Sequence, residues 1–247
     1  MANTNYTQFE DKFVKTANSL VEQSRNGQIL THFLNPREQE IIENFARNAN
    51  IEVKFFGGYL GSERRRAIIN PESDDFQIAT IQIEYPDKFF TIYHSTIIGS
   101  LIHNGIRFEA IGDVIHEGNI WQFFIEENLS EFVQREIHNV GKKSVKFIAA
   151  QKTITSDDDF IVQTLTVNSL RLDLVISDVF NINRAESKSM IENLDVRLNY
   201  FDFNNPSYTL SMFDVVSVHG HGRFQFMGTL ATTKKNKFKI EIKKISR

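Results

Sequence analysis

Along the first fifty residues the apolar positions fall at helical spacing. Phe9, Phe13, Ala17, Leu20 and Val21 share one face of a helix predicted over roughly 5–25. A second helix is predicted after Asn35-Pro36. Proline suits the first helical position, Asn35 can cap the orphan N–H groups, and Glu38 and Glu40 suit the positive end of the dipole. Ile41, Ile42, Phe45 and Ala46 supply its buried face, and 51–55 then alternate as a strand stopped by Gly57-Gly58.

Beyond Pro71 the pattern changes to strands separated by helices: strand 76–85, helix 94–103, strands 112–116 and 120–126 around Glu117-Gly118-Asn119, helix 128–139 and strand 145–150. The order β-α-β-β-α-β is the ferredoxin-like arrangement, shared by RNA-recognition (RRM) domains and many unrelated proteins. No copy of the aromatic strand motif by which an RRM stacks bases is found, and Trp121-Gln122-Phe123-Phe124 reads as sheet core.

The last third alternates again. Leu172, Val175, Ile176 and Val179 give a short helix over 172–180; Asn181-Ile182-Asn183 turns the chain; Asn183 with Glu186 starts a second helix near Arg184, with Ala185, Ile191 and Leu194 expected inward. Strands follow at 196–200, 215–218, 223–230 and 238–245, with Gly220 and Gly222 marking a tight turn. Arg184 and Lys188, four apart, share an outer face beside a helix N-terminus, and Arg171 precedes the first helix.

Charge sharpens this picture. The chain of 247 residues carries 28 basic and 31 acidic side chains, a formal net charge of −3. From residue 165 onward there are 12 basic against 8 acidic residues, whereas residues 1–164 hold 16 against 23. The positive charge is therefore local, and phosphate binding depends on such local clusters. The Lys-rich run 234–244 is equally suited to a solvated edge strand that resists aggregation. With no cysteine there is no disulfide or thiolate metal site, and no apolar run approaches a membrane span. The polar start lacks a signal-peptide core, so a cytoplasmic location is expected.

Chemistry-bearing patterns are sparse. No His-Glu-x-x-His, Gly-x-Ser-x-Gly or Gly-x-x-x-x-Gly-Lys-Ser/Thr is present, so no catalytic residue, metal or cofactor is expected. His219 and His221 lack a third ligand, and Asp157-Asp158-Asp159 reads as a solvated linker. Gly57-Gly58-Tyr59-Leu60-Gly61-Ser62-Glu63-Arg64-Arg65-Arg66 joins a turn to three cations. If extended, it places Arg64 and Arg66 on one face, suited either to a phosphate backbone or to pairing with the acidic domain.

Arg171-Leu172-Asp173-Leu174, then Asn183-Arg184-Ala185-Glu186-Ser187-Lys188, then His219-Gly220-His221-Gly222-Arg223 resembles the S4 RNA-binding domain. His219 stands where that pattern usually has a cation. His32-Phe33-Leu34-Asn35-Pro36-Arg37-Glu38-Gln39-Glu40, Phe56-Gly57-Gly58-Tyr59 and Glu63-Arg64-Arg65-Arg66-Ala67-Ile68-Ile69 ahead of it resemble the bacterial YlmH family over nearly the whole chain.

The resemblance implies an α+β protein: an N-terminal helical region (1–74), an RRM-like domain (75–152), a linker (153–160) and a C-terminal S4 domain (161–247). It implies noncatalytic binding to rRNA and a P-site tRNA on the large ribosomal subunit, in rescue of obstructed nascent chains, and a historical link to cell division. The expected RNA contacts are Arg171, Arg184, Lys188, His219 and Arg223, with Arg64 and Arg66 as a further pair. Two alternatives are an RNA-modifying or phosphoryl-handling enzyme with its site in 50–150, and a protein-interaction module serving division.

Overall fold

A computed structural model describes residues 10–155, 160–233 and 235–245. They form two compact units, one of residues 12–157 and one built on the chain from 158 onward. The expected division at 74/75 lies inside the first unit, where Phe33 and Tyr59 from before it pack on Phe124 and Ile115 beyond it. Residues 156–159, which include the Asp157 to Asp159 run, lie outside the described residues, as does Phe9.

In the first unit, α1 (Asp11–Gln23) buries Ala17 and Val21 as its spacing predicts. After β1 (Ile29–Leu30), α2 (Pro36–Ala49) starts with a reciprocal cap. The Glu38 N–H donates to Asn35 Oδ1 at 2.9 Å, and the Asn35 N–H donates to the Glu38 carboxylate at 2.8 Å. β2 (Val53–Phe56) and β3 (Arg66–Ile69) complete an antiparallel sheet of order β1-β3-β2. The strand at 66–69 was not foreseen, since the cations of Arg64 to Arg66 masked its four buried positions.

The predicted β-α-β-β-α-β succession follows: β4 (Ile78–Glu84), α3 (His94–His103), β5 (Ile111–Glu117), β6 (Ile120–Glu126) and α4 (Ser130–Glu136), then the small hairpin β7 (Asn139–Val140) and β8 (Lys143–Ser144), then β9 (Lys146–Ala149). The sheet is antiparallel in the order β5-β6-β4-β9. α4 stops short of the expected 139 because Ile137 turns extended and is buried, feeding the β7–β8 hairpin rather than another helical turn.

Both faces of this sheet are covered. Ile81, Ile83, Phe123 and Ile125 pack with Ile97 and Leu101 of α3 and Val133 of α4. On the opposite face, Phe124 packs with Phe33 and Ile115, and Tyr59 stacks on it at 5.0 Å between ring centroids. Gln122, wholly buried, donates to Gln82 and to the Lys152 carbonyl and accepts from the Ile154 N–H. The aromatic run on β6 is therefore core, as its pattern suggests.

The second unit is a six-stranded antiparallel sheet with a helix pair. Its elements are β10 (Phe160–Val167), α5 (Leu172–Phe180), α6 (Arg184–Glu192), β11 (Val196–Leu198), β12 (Phe201–Asp202), β13 (Val215–Val218), β14 (Gly222–Thr232) and β15 (Phe238–Ile245). Strand order is β10-β15-β14-β13-β11-β12. The Lys-rich β15 is thus an interior strand, covered on one edge by β10, rather than an exposed edge. Leu172, Val175, Ile176 and Val179 of α5 and Ile191 of α6 share a core with Val196, Val216, Phe224, Phe226, Ile240 and Ile242. Ala185 and Leu194, expected inward, are exposed. α6 buries Ser187 instead, and Leu194 follows the helix end in a left-handed turn at φ 64° that takes it off the buried face.

Candidate nucleic-acid interface

The helix pair is fixed by its termini. α5 ends at Asn181 in the left-handed conformation (φ 54°), and the Ser177 hydroxyl donates to the Ile182 carbonyl at 2.6 Å. The Glu186 N–H donates to Asn183 Oδ1 at 2.8 Å, starting α6 where the sequence predicts. This short turn folds the first turn of α6 back onto the first turn of α5. Asp173 and Arg184 meet there.

Asp173 organises the site. Its side chain is fully buried and accepts from Arg171 Nε and Nη2, both at 3.0 Å, and from Arg184 Nε at 3.1 Å. The buried Ser187 hydroxyl donates to the Asp173 carbonyl at 2.7 Å, locking α6 against α5. Arg171 therefore engages the carboxylate as a fork, and Arg184 spends only Nε on it. Its terminal guanidinium nitrogens remain available at a side chain 58% exposed. Lys188, 56% exposed, lies one turn further along α6 in a loose 3.5 Å pair with Glu192. Arg171, Arg184 and Lys188 line one open recess of about 670 Å³, completed by Pro206 and Ser207.

Burial pushes the Asp173 carboxyl up, but the hydrogen bonds and charges of Arg171 and Arg184 outweigh it and hold the group below the usual aspartate value. A lowered folded-state pKa contributes stability that is complete above the unfolded value of about 3.9 and fades as pH falls through the folded one. Asp173→Asn is accordingly expected to lower stability at neutral pH and to remove that part of the acid limb. Acid titrations of both proteins followed by circular dichroism check this. Parallel acid limbs would contradict it.

The other expected contacts are placed differently. His219 is exposed in the β13–β14 turn, its backbone N–H donating to the Asp195 carbonyl; Arg223 is the second residue of β14, opposite Ser217. Neither lines the recess. The neighbouring His221 ring lies 5.7 Å from Phe180, the last residue of α5, whereas Arg171 caps its start. The glycine turn therefore sits by the far end of α5, about 13 Å along the axis from the recess. Lys244 donates to the Val179 carbonyl at this same C-terminal end, where a cation complements the helix dipole.

Arg64 and Arg66 are turned inward, which removes them from the candidate interface. Arg64 donates to the carbonyls of Ile111, Phe33 and Phe108 and lies over the Phe108 ring at 4.3 Å. Arg66 is buried, donating to the carbonyls of Thr31, Phe76 and Gln77, with Glu126 at 3.9 Å. The Gly57 to Ser62 turn is pinned by Asp113, whose carboxylate accepts from the N–H groups of Glu63 and Arg64 and from the Tyr59 hydroxyl. These cations tie the two sheets of the first unit together. Among the described residues no three His, Asp or Glu side chains converge as metal ligands, and no helix is long and apolar enough to cross a membrane.

Two family models match the first unit: "YlmH, N-terminal" over 19–73 and "Putative RNA-binding domain in YlmH" over 71–153. The chain is 31% identical over 221 residues to the ribosome-associated protein quality control protein P2 of Bacillus subtilis, covering 85% of each protein. The chain belongs to the YlmH family. A solved structure of the cell division protein ylmH from Streptococcus pneumoniae superposes with a TM-score of 0.52 at 21% identity, covering 61% of this chain and 96% of that one. The YlmH fold, a mixture of helices and antiparallel sheets, is thereby shared.

Sequence reasoning missed Asp173 as the organising group. The signal was present: an acidic residue lies beside Leu172 within the buried stripe of α5, two residues from one arginine and eleven from another. A carboxylate at such a position needs partners.

Proposed function

We propose that this YlmH-family protein is a noncatalytic RNA-binding protein, its second unit an S4 domain and its residues 75–152 an RRM-like domain. The S4 reading rests on the α5–α6 pair followed by the glycine turn, and the RRM-like reading on the β5-β6-β4-β9 order with both helices on one face. The name of the Bacillus subtilis relative supports action on the ribosome in protein quality control, which would place the protein in the cytoplasm. The finer reading is contact with rRNA and P-site tRNA on the large subunit. The observation that carries RNA binding is the arginine pair oriented by buried Asp173 with Lys188 beside it. A guanidinium held in place loses little freedom when it meets a phosphate.

The test is Arg184→Ala/Lys188→Ala. Each phosphate contact releases counterions, so losing two should flatten the log K against log salt plot by about 1.4 to 1.8 and weaken binding to purified large subunits about tenfold or more. Melting should shift by only a few degrees, since Arg171 still engages both carboxylate oxygens of Asp173. A folded double variant with unchanged affinity and slope would remove this face from the interface.

A further inference from the structure

We infer that the first unit carries a second RNA contact, for unpaired nucleotides, at the start of α3; this rests on the RNA-binding reading above. The open sheet face that an RRM-like domain would offer to bases is closed here by Phe33, Tyr59 and Ile154. Any RNA contact in this unit must therefore lie elsewhere. The surface that fits is formed by the loop before α3 and the β7–β8 hairpin. Within the net acidic stretch 1–164, residues 138–146 hold Lys142, Lys143 and Lys146 and no acidic residue.

Both segments are held against α3, the loop at its first turn and the hairpin along its side. Tyr93 caps the helix, its carbonyl accepting from the Thr96 and Ile97 N–H groups. The Gly141 N–H at the hairpin tip donates to Ser100 Oγ, about two turns on. Lys143 Nζ lies over the Phe90 ring at 4.9 Å, joining hairpin to loop. Around this anchor Lys88 and Lys142 are exposed, and Phe89 and Tyr93 are 84% and 58% exposed. The one acid of the loop, Asp87, is engaged by the Asn119 side chain at 2.9 Å.

Large rings left in water beside lysines have a specific chemical complement. A base offers a π-face to the ring while its phosphate meets the ammonium, and this combination recurs in proteins that bind single strands. Paired bases are already stacked on one another, so the surface favours unpaired RNA. Phe90 differs from its neighbour in role: it packs against the unit's core and holds the loop, with Tyr85 at 5.6 Å.

The test uses the full chain and a fluorescent uridine 12-mer, with a 12-base-pair RNA duplex beside it. Ultraviolet cross-linking followed by peptide mass spectrometry should place adducts on Phe89 or Tyr93 with the single strand. Phe89→Ala/Tyr93→Ala should weaken 12-mer binding about tenfold with an unchanged salt slope. Lys88→Gln/Lys142→Gln should instead flatten the slope by about 1.4. Both pairs are surface changes, and unchanged melting curves show that the fold is intact. Adducts confined to 171–188, with both double variants binding as the parent does, overturn this contact and leave the α5–α6 site standing. Adducts at 88–93 with none at 171–188 support it and count against that site. No adduct at all overturns both.

Discussion

Replacing Arg66 with alanine is expected to destabilise the first unit by about 3–5 kcal/mol, a fall in melting temperature of about 10 °C, while leaving RNA affinity below that temperature unchanged. The size follows from what the guanidinium satisfies. Three carbonyls, of Thr31, Phe76 and Gln77, lose their donor, and buried Glu126 loses a nearby positive charge. Lysine is expected to rescue little, because a point ammonium cannot reach three carbonyls in the planes that a guanidinium fork spans. Thermal melts paired with binding isotherms on purified large subunits decide the matter. A well-folded Arg66→Ala protein that binds RNA weakly would return Arg66 to the interface.

Gly58→Ala should be as damaging, by about 3 kcal/mol or more. Gly58 has φ 101°, outside the range an L residue occupies comfortably, and a Cβ there would sit 2.2 Å from the Phe124 ring. Phe124 cannot yield, since it is fully buried under the Tyr59 stack. By contrast Gly61→Ala meets nothing within 4 Å, though its φ of 90° remains strained, so the smaller loss expected there isolates the contribution of the collision. Denaturant unfolding of both variants measures the difference. Equal losses would mean that backbone strain alone accounts for Gly58.

Much of the architecture was legible because its signals were local. The α2 cap, the bounds of α3 and α5, the start of α6 and the alternation of β13 were set by residues within one or two turns of each other. What escaped depends on distant partners. β10 has little contrast between its faces and is a strand because it pairs with β15 some eighty residues on. Arg64 and Arg66 read as surface cations because arginine usually is one. Only the carbonyls of Ile111 and Phe33, and of Thr31 and Gln77, brought in from elsewhere, make them interior. At the α5–α6 site the cations were legible by spacing, while the carboxylate that aims two of them was not.

The closed face of the β5-β6-β4-β9 sheet bears on how this protein can be taken apart. Sequence families divide it near residue 71, but Phe33 and Tyr59 lie before that point and cover Phe124 and Ile115 beyond it. Severing the chain there would strip a greasy surface bare, so the segment that matches as a free-standing module inherits its solubility from the residues ahead of it. Heredity and folding draw their borders in different places here, and the N-terminal segment is the lining of its neighbour rather than an appendage to it.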